Sequence, residues 1–412
     1  MSQSYNSEAD VLVVGAGMGG LTAAIQAAAE GARAVVMEKY PDVSRCSTAF
    51  SGGAFGVHTK PFGPHTPEEL VERFIETSEG TCDVPVVRAF AQRASGDLQW
   101  LLEDVKLPTM PVGSRRTPRA LQGGRTIPPH LLQVAQERGV QVLFNTKATG
   151  LLADASGRVS GVQAMTPQGP AEISAGAVVL TTGGFESNGE MVLKYLGPEV
   201  HSSAFRHRAA SLSHTGDGQL MAMAMGASFG NHPFLLHCRP EDRSFTTLGT
   251  RPRSQGPIRE MPRISHWGIW VNRKGQRFID ESDESDPIST AIWRQPEGVA
   301  ALIFDEGLRQ RFPEEAQRYE EKVAGIFITA ESLEELARRT GAIPPERLRA
   351  TVHEVNDAIR DGRASELEIP KGSVEPWCQP METPPFYAVY PVRSSLNTIW
   401  GGLAINPEAQ VL

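Results

Sequence analysis

A glycine turn set between two apolar strands restricts this chain more than any other feature. Residues 10–39 read as one βαβ unit. Val11 to Val14 is a short apolar run suited to a parallel strand buried on both faces. Gly15, Gly17 and Gly20 then spell G-x-G-x-x-G. The alanine-rich stretch LTAAIQAAAEG predicts a helix that stops at Gly31. ARAVVMEK is the second strand, and it carries Glu38 to a point 18 residues past Gly20. In such a turn the first glycine permits the tight bend and the second lets the backbone approach a pyrophosphate. The third lets the helix pack closely on the sheet. The helix N-terminus offers unpaired N–H groups to phosphate charge. A carboxylate at position 38 can accept hydrogen bonds from ribose hydroxyls and would repel a 2′-phosphate. The bland alternative is a glycine turn without a ligand; the strand–turn–helix–strand context opposes it.

The loop beyond Glu38 separates FAD from NAD. Ser47, Thr48, Ser51, Gly52 and Gly53 come soon after the acid, in STAFSGG. A loop of such small residues lets the backbone run along an extended cofactor toward its reactive ring. A plain NAD dehydrogenase would go straight into another helix and strand. FAD is therefore the expected cofactor.

Downstream, the segment from Thr66 to Leu107 shows the 3–4 spacing of helices. HLLQVAQERGVQVLFNTKATGLLADASGRVSGVQAM predicts a helix, a strand and a hairpin, and SAGAVVLTTGG a buried strand ending in a glycine turn. After about residue 228 the texture changes. Asn231 to Trp267 is rich in Pro, Arg and His, followed by strand-like GIWVNRKGQRFID and two helical stretches. This reads as a second domain inserted into the first, with NTIWGGLAINPEAQVL returning to strands and turns.

Charge and cysteines narrow the partners. The net charge is −8 without a basic block, which argues against nucleic acid. No stretch approaches the about 18 apolar residues of a membrane span, and MSQSYNSEAD carries no signal-peptide pattern. Cys46, Cys82, Cys238 and Cys378 are far apart and show no CxxC spacing, against a disulfide framework or a zinc site. The expectation is a cytoplasmic protein with no metal, acting on a small-molecule substrate. Its electron acceptor is not legible.

Seven motifs occur in order: the βαβ unit, STAFSGG, AVVLTTGGFESNGEM, HTGDGQLMAMAMGA, NHPF, GIWVNRKGQRFIDE and NTIWGGLAINPEAQVL. Together they resemble the flavoprotein superfamily of fumarate reductases and succinate dehydrogenases. Within it the chain is similar to the soluble single-chain branch of tricarballylate and ketosteroid dehydrogenases. The resemblance implies an α/β fold: a Rossmann-like FAD-binding domain (1–228, completed by 396–412) with an inserted α+β capping domain (229–395). It implies that Gly19 and Gly20 face the pyrophosphate, and Glu38 with Lys39 the adenosine side. Ser47, Thr48, Ser51, Gly52 and Gly53 would run near the flavin, and Ala148 would meet the adenine through its backbone. Thr182, Gly183, Gly184, Asp217, Gly401 and Gly402 would complete the shell. Asp217 in TGDG is equally a good turn former.

Family members move a hydride between flavin N5 and a carbon next to a carbonyl or carboxylate, while a protein group handles the neighbouring proton. His232 of NHPF matches a substrate-facing histidine. The family's acid arginine falls at Ser285, and a second substrate histidine falls at Thr398. These departures argue against fumarate or succinate and suit a neutral ketone. Replacement proton carriers are Tyr390, His266 and His237. Arg263, Arg259 and Arg251 could bind an anion, and Arg277 is expected to be structural. Arg45 and Cys46 stand where the family has glycines; Cys46 is expected to be a buried thiol rather than a flavin attachment point. Family members continue past the AQVL-like strand with a segment that covers the flavin. The alternative expectation is thus a truncated or non-catalytic flavoprotein-like chain with impaired flavin binding.

Overall fold

A computed structural model describes residues 9–57, 59–63, 65–78, 80–110, 119–201, 212–230, 234–240, 268–281, 288–311, 313–322, 324–372, 378–399 and 401–412. The chain divides into two compact units. The first is Met1–Leu196 with Ala210–Phe234 and Thr398–Leu412; the second is Gly197–Ala209 with Leu235–Asn397.

The first unit is built on a six-stranded sheet. Its strands are β1 (Ala9–Val14), β2 (Ala34–Met37), β3 (Gln141–Leu143), β4 (Lys147–Ala153), β5 (Val159–Thr166) and β6 (Gly169–Leu180), in the order β3-β2-β1-β6-β5-β4. β1 pairs in parallel with β2 and with the second half of β6, while the first half of β6 forms an antiparallel hairpin with β5. β1 is central and flanked on both sides, so Leu12 and Val13 are fully buried. Each such side chain contributes about 1.5–3 kcal/mol by leaving water.

Helix α1 (Met18–Ala29) crosses from β1 to β2, with Gly31 in the left-handed region just past its end (φ +86). The expected helical segment downstream splits in two. α2 (Pro67–Thr77) opens on a capping box between Thr66 and Glu69, and α3 (Val84–Glu103) opens on Asp83, whose side chain accepts from the Val86 N–H. α4 (Ile127–Glu137) precedes β3, and α5 (Asp217–Ala224) follows the turn after Gly216. α1 buries Leu21, Ala24 and Ile25 on its inner face and packs against α4.

The second unit is built on a five-stranded sheet of β7 (Phe234–Pro240), β8 (Ile269–Asn272), β9 (Val299–Asp305), β10 (Phe327–Ala330) and β11 (Phe386–Ile399), of which Phe234, Thr398 and Ile399 at the strand ends belong to the first unit. β9 lies between β8 and β11, both antiparallel to it, and all seven of its residues are buried. α6 (Leu333–Thr340) and α7 (Pro345–Arg360) bury Leu336, Leu348 and Val352 in the same core. Arg277 is structural here: its guanidinium holds the fully buried Glu281 (Nη2–Oε2 2.7 Å), which Lys371 Nζ also reaches at 3.2 Å.

Candidate cofactor site

A cavity of about 480 Å³ lies in the first unit at the C-terminal ends of β1, β2 and β6, bounded there by Val14, Met37 and Leu180. Open parallel sheets bind ligands at this edge, because strand ends and helix starts meet there. The start of α1 lines the cavity through Gly17, Met18 and Gly19. Gly17 gives this helix no side-chain cap, and its first turn has no acidic residue. The partial positive charge of the helix end is therefore free to meet an anion.

The three motif glycines have different reasons. Gly15 takes φ +109, and a Cβ there would lie 2.6 Å from the Thr181 carbonyl oxygen. A Cβ on Gly20 would run into the Gly15 carbonyl oxygen and lie 2.6 Å from Thr181 Oγ1. Protein packing demands glycine at both. Gly17 has an ordinary φ of −76, and a Cβ on it would meet only Thr48 Oγ1 at 3.8 Å and Cys46 at 3.9 Å. Nothing in the protein requires glycine there, but a Cβ would take space in the cavity. This is what a diphosphate drawn against the backbone needs. Gly20, in the first turn of α1, is buried and does not line the cavity, whereas Gly17 and Gly19 do.

Glu38 is buried at the end of β2 and lines the cavity. Its Oε2 accepts from the Ala16 N–H at 2.9 Å and its Oε1 from the Tyr40 N–H at 3.0 Å. Each oxygen keeps a second lone pair, so the carboxylate can still accept from a hydroxyl. Beside it, Lys39 Nζ donates to Asp217 Oδ2 at 2.7 Å, to Thr215 Oγ1 at 2.8 Å and to the Ser213 carbonyl at 2.9 Å. Lys147 Nζ stands 3.6 Å from the other Asp217 oxygen. Burial pushes the Asp217 carboxyl up, but the hydrogen bonds from Lys39 and Thr215 and the two ammonium charges outweigh it and hold the group below the usual carboxylate range. Asp217 is thus an ion-paired cavity residue as well as the start of α5. Ala148 lines the same end.

Thr182 and Gly183 line the far wall, and His214 joins them. The His214 Nδ1 is 2.8 Å from Glu186 Oε2, and Glu186 Oε1 accepts from the Ile399 N–H at 2.8 Å. Burial alone would raise the Glu186 carboxyl; the hydrogen bond and charge of His214 reverse this and hold it low. Gly184 does not line the cavity; a Cβ on it would collide with the Glu186 carboxylate. Neither His214 nor Glu186 stood among the expected site residues, although they sit inside HTGDG and GGFES.

The loop after β2 divides. Ser47 and Thr48 line the cavity, and Thr48 Oγ1 accepts from the Met18 N–H at 3.1 Å. Ser51, Gly52 and Gly53 turn instead toward Gly123 and Gly124: the Gly124 N–H donates to the Ser51 carbonyl at 3.1 Å, and the Ala120 N–H to the Gly53 carbonyl at 2.8 Å. Gly401 and Gly402 follow β11, and the Gly402 carbonyl accepts from the Gly230 N–H at 2.8 Å; neither lines the cavity. Cys46 lines it, but burial pushes its thiol up, and its Sγ faces the Val43 carbonyl at 3.2 Å. Of the expected catalytic residues, His232, His266 and Arg263 lie outside the described residues, as do Arg251, Arg259 and the side chain of His237. Tyr390 is half-buried against the core of the second unit.

A family model described as FAD binding domain matches residues 10–412. The urocanate reductase of Eggerthella lenta is 29% identical over 438 residues, an alignment spanning 100% of this chain and 68% of that protein. The open conformation of a flavocytochrome c3 fumarate reductase matches with a TM-score of 0.72 at 27% identity, covering 99% of this chain and 70% of that one. The 3-ketosteroid Δ1-dehydrogenase from Sterolibacterium denitrificans matches with a TM-score of 0.77 over 98% of this chain and 91% of that one; at 21% identity this is a likeness of fold. The chain therefore spans about two thirds of the urocanate reductase and of the fumarate reductase. Among the described residues no helix is long and apolar enough to cross a membrane.

Proposed function

The chain belongs to the FAD binding domain family, and on that premise we propose that it is an FAD-dependent oxidoreductase acting on a carbon–carbon bond next to a carbonyl or carboxylate. The observation that carries this reading is Gly17, a glycine that lines the cavity at the start of α1 and that no contact within the protein requires.

Bound FAD supplies the site that accepts or releases a hydride. The protein supplies the rest. The start of α1 would hold the diphosphate through its positive end and the N–H groups that Thr48 leaves open. Glu38 accepts from ribose hydroxyls on lone pairs not used by Ala16 and Tyr40. Thr48 fixes the first turn of α1, and the Lys39–Asp217 pair closes the wall beside Glu38. The first unit is the FAD-binding domain and the second the capping domain.

The proton partner of the redox step comes from His232, Tyr390 or His266, with Arg263 binding substrate oxygen. Ser285 and Thr398 stand where carboxylate-handling residues would be expected. That favours a neutral carbonyl substrate, an enone or its saturated ketone, over a dicarboxylate. The relatives whose names include fumarate and urocanate supply the competing class, an unsaturated carboxylate.

The test is to purify the protein, reconstitute it with FAD and titrate the bound flavin. Reduced flavin should be reoxidised by enones, or oxidised flavin bleached by saturated ketones, faster than by fumarate or succinate. Protein that takes up no flavin on reconstitution would remove the reading. Turnover of dicarboxylates alone would keep the enzyme and reverse the substrate class.

A further inference from the structure

Two polar side-chain atoms beside Gly183 have no hydrogen bond among the described residues, and one of them is fully buried. One is Nε2 of His214, a residue only 8% exposed that lines the cavity. The other is Oε1 of Gln219, whose Nε2 donates to the Gly183 carbonyl at 2.8 Å. Flipping that amide would set two oxygens against each other, so the orphan is the acceptor. Buried polar groups in folded proteins are almost always paired, and leaving them so costs stability. Gln219 does not line the cavity but His214 does, and a ring nitrogen held on the cavity wall with no partner in the protein is placed to meet a ligand.

The ring of His214 is fixed for this. Its Nδ1 is held by Glu186, and an ionised carboxylate only accepts, so Nδ1 carries a proton and Nε2 is the nitrogen left over. The opposite ring edge packs on Gly183: a Cβ there would lie 2.8 Å from both Nε2 and Cδ2. Any side chain at 183 would displace the ring. Glu186 is itself held by the Ile399 N–H, and only a glycine at 184 leaves room for its carboxylate. Packing alone is a weak reason for the arrangement, because apolar residues of the same shape often stabilise a fold as much as a buried ion pair or more.

We propose that His214 is a cofactor-binding residue whose Nε2 hydrogen-bonds the FAD held in this cavity, and that Glu186 is the positioning residue that fixes its ring. The proposal rests on the flavoprotein reading and adds to it a contact outside the glycine turn and the ribose carboxylate.

The test uses flavin-free protein titrated with FAD, following fluorescence quenching. His214→Ala should raise the Kd about tenfold, the loss of one hydrogen bond. Glu186→Gln should raise it less, because the amide oxygen still accepts from Nδ1–H while the ring loses its single orientation. In wild-type protein labelled with ¹⁵N-histidine, the Nε2 resonance of His214 should shift on saturation with FAD, which a purely structural histidine would not show. An unchanged Kd in a His214→Ala protein that unfolds at the wild-type temperature overturns the proposal. If that variant fails to fold, an unmoved Nε2 signal in the wild type overturns it. Wild-type protein that binds no FAD in the same titration is a different result: it sinks the flavoprotein reading, and the proposal with it.

Discussion

Gly20 sits so close beneath Gly15 that a β-carbon on it would collide with the Gly15 carbonyl oxygen. Two residues of the same motif therefore serve packing, and Gly17 between them serves the cavity. Gly20→Ala should destabilise the apoprotein by about 1–3 kcal/mol, the usual range for overpacking a tight site. Gly17→Ala should leave apoprotein stability within about 0.5 kcal/mol, as a substitution at a permissive backbone position does, yet weaken FAD binding strongly. Urea unfolding of both apoproteins, set beside FAD titrations, checks the split. Equal losses of stability in the two variants would contradict it.

The Lys39–Asp217 pair predicts a specific acid limb. The folded Asp217 carboxyl titrates below its ordinary value, so as pH falls the unfolded chain takes up the proton first. Its stabilisation is complete above the ordinary carboxylate range, shrinks as pH falls, and is gone below the folded value. Asp217→Asn should lower stability at neutral pH by about 1.5–3 kcal/mol, the worth of a hydrogen bond to a charged group, and flatten the acid limb. A variant curve that runs parallel to the wild type at all pH values would show that Asp217 is not the linked group.

In the second unit, Glu281 is wholly buried between Arg277 and Lys371, and also accepts from the Trp270 N–H at 3.1 Å. Lys371 Nζ further donates to the Gly268 carbonyl at 3.0 Å. Removing one member leaves a buried charge without its partner. Glu281→Ala should cost about 3–5 kcal/mol and expose the second unit to limited proteolysis before the first. A digestion pattern identical to that of the wild type would mean that the cluster is peripheral to this unit's stability.

The elements of the first unit were legible because their signals are local. Val11 to Val14 is apolar without alternation, as a strand covered on both faces must be, and Thr66 with Glu69 announces a helix start within four residues. Single cavity residues were legible from their motifs, but the side-chain pairs that hold them were not. Lys39 and Asp217 are 178 residues apart, and Glu186 and His214 are 28 apart. Tertiary folding creates those pairs, and no periodicity encodes them. Ser51, Gly52 and Gly53 show a different limit. Smallness signals a close neighbour but not its identity, and here the neighbour is the backbone of Gly123 and Gly124 rather than a cavity wall. In HTGDG the acid is conspicuous because a carboxylate has an obvious ligand chemistry. The histidine two residues before the glycine acquires its role from Glu186, which the motif does not contain.

Cys46 lines the cavity, and covalent flavin attachment would require its thiolate as nucleophile. Burial pushes the thiol above its ordinary value, with the nearby Glu38 charge acting in the same direction and local hydrogen bonds only partly offsetting it. At neutral pH the thiolate population is therefore smaller than that of an unperturbed cysteine. Flavin should be bound non-covalently, and acid precipitation should release all of it into the supernatant. Alkylation of Cys46 should be slow at neutral pH and accelerate only at higher pH than for a model thiol. FAD should slow it further by covering the wall. Mass spectrometry of the precipitated chain decides the first point, since a flavin adduct on the peptide containing Cys46 would reverse it. Site-resolved alkylation rates with and without FAD decide the second: a rate at Cys46 that ignores FAD would mean that the cofactor does not reach this part of the cavity.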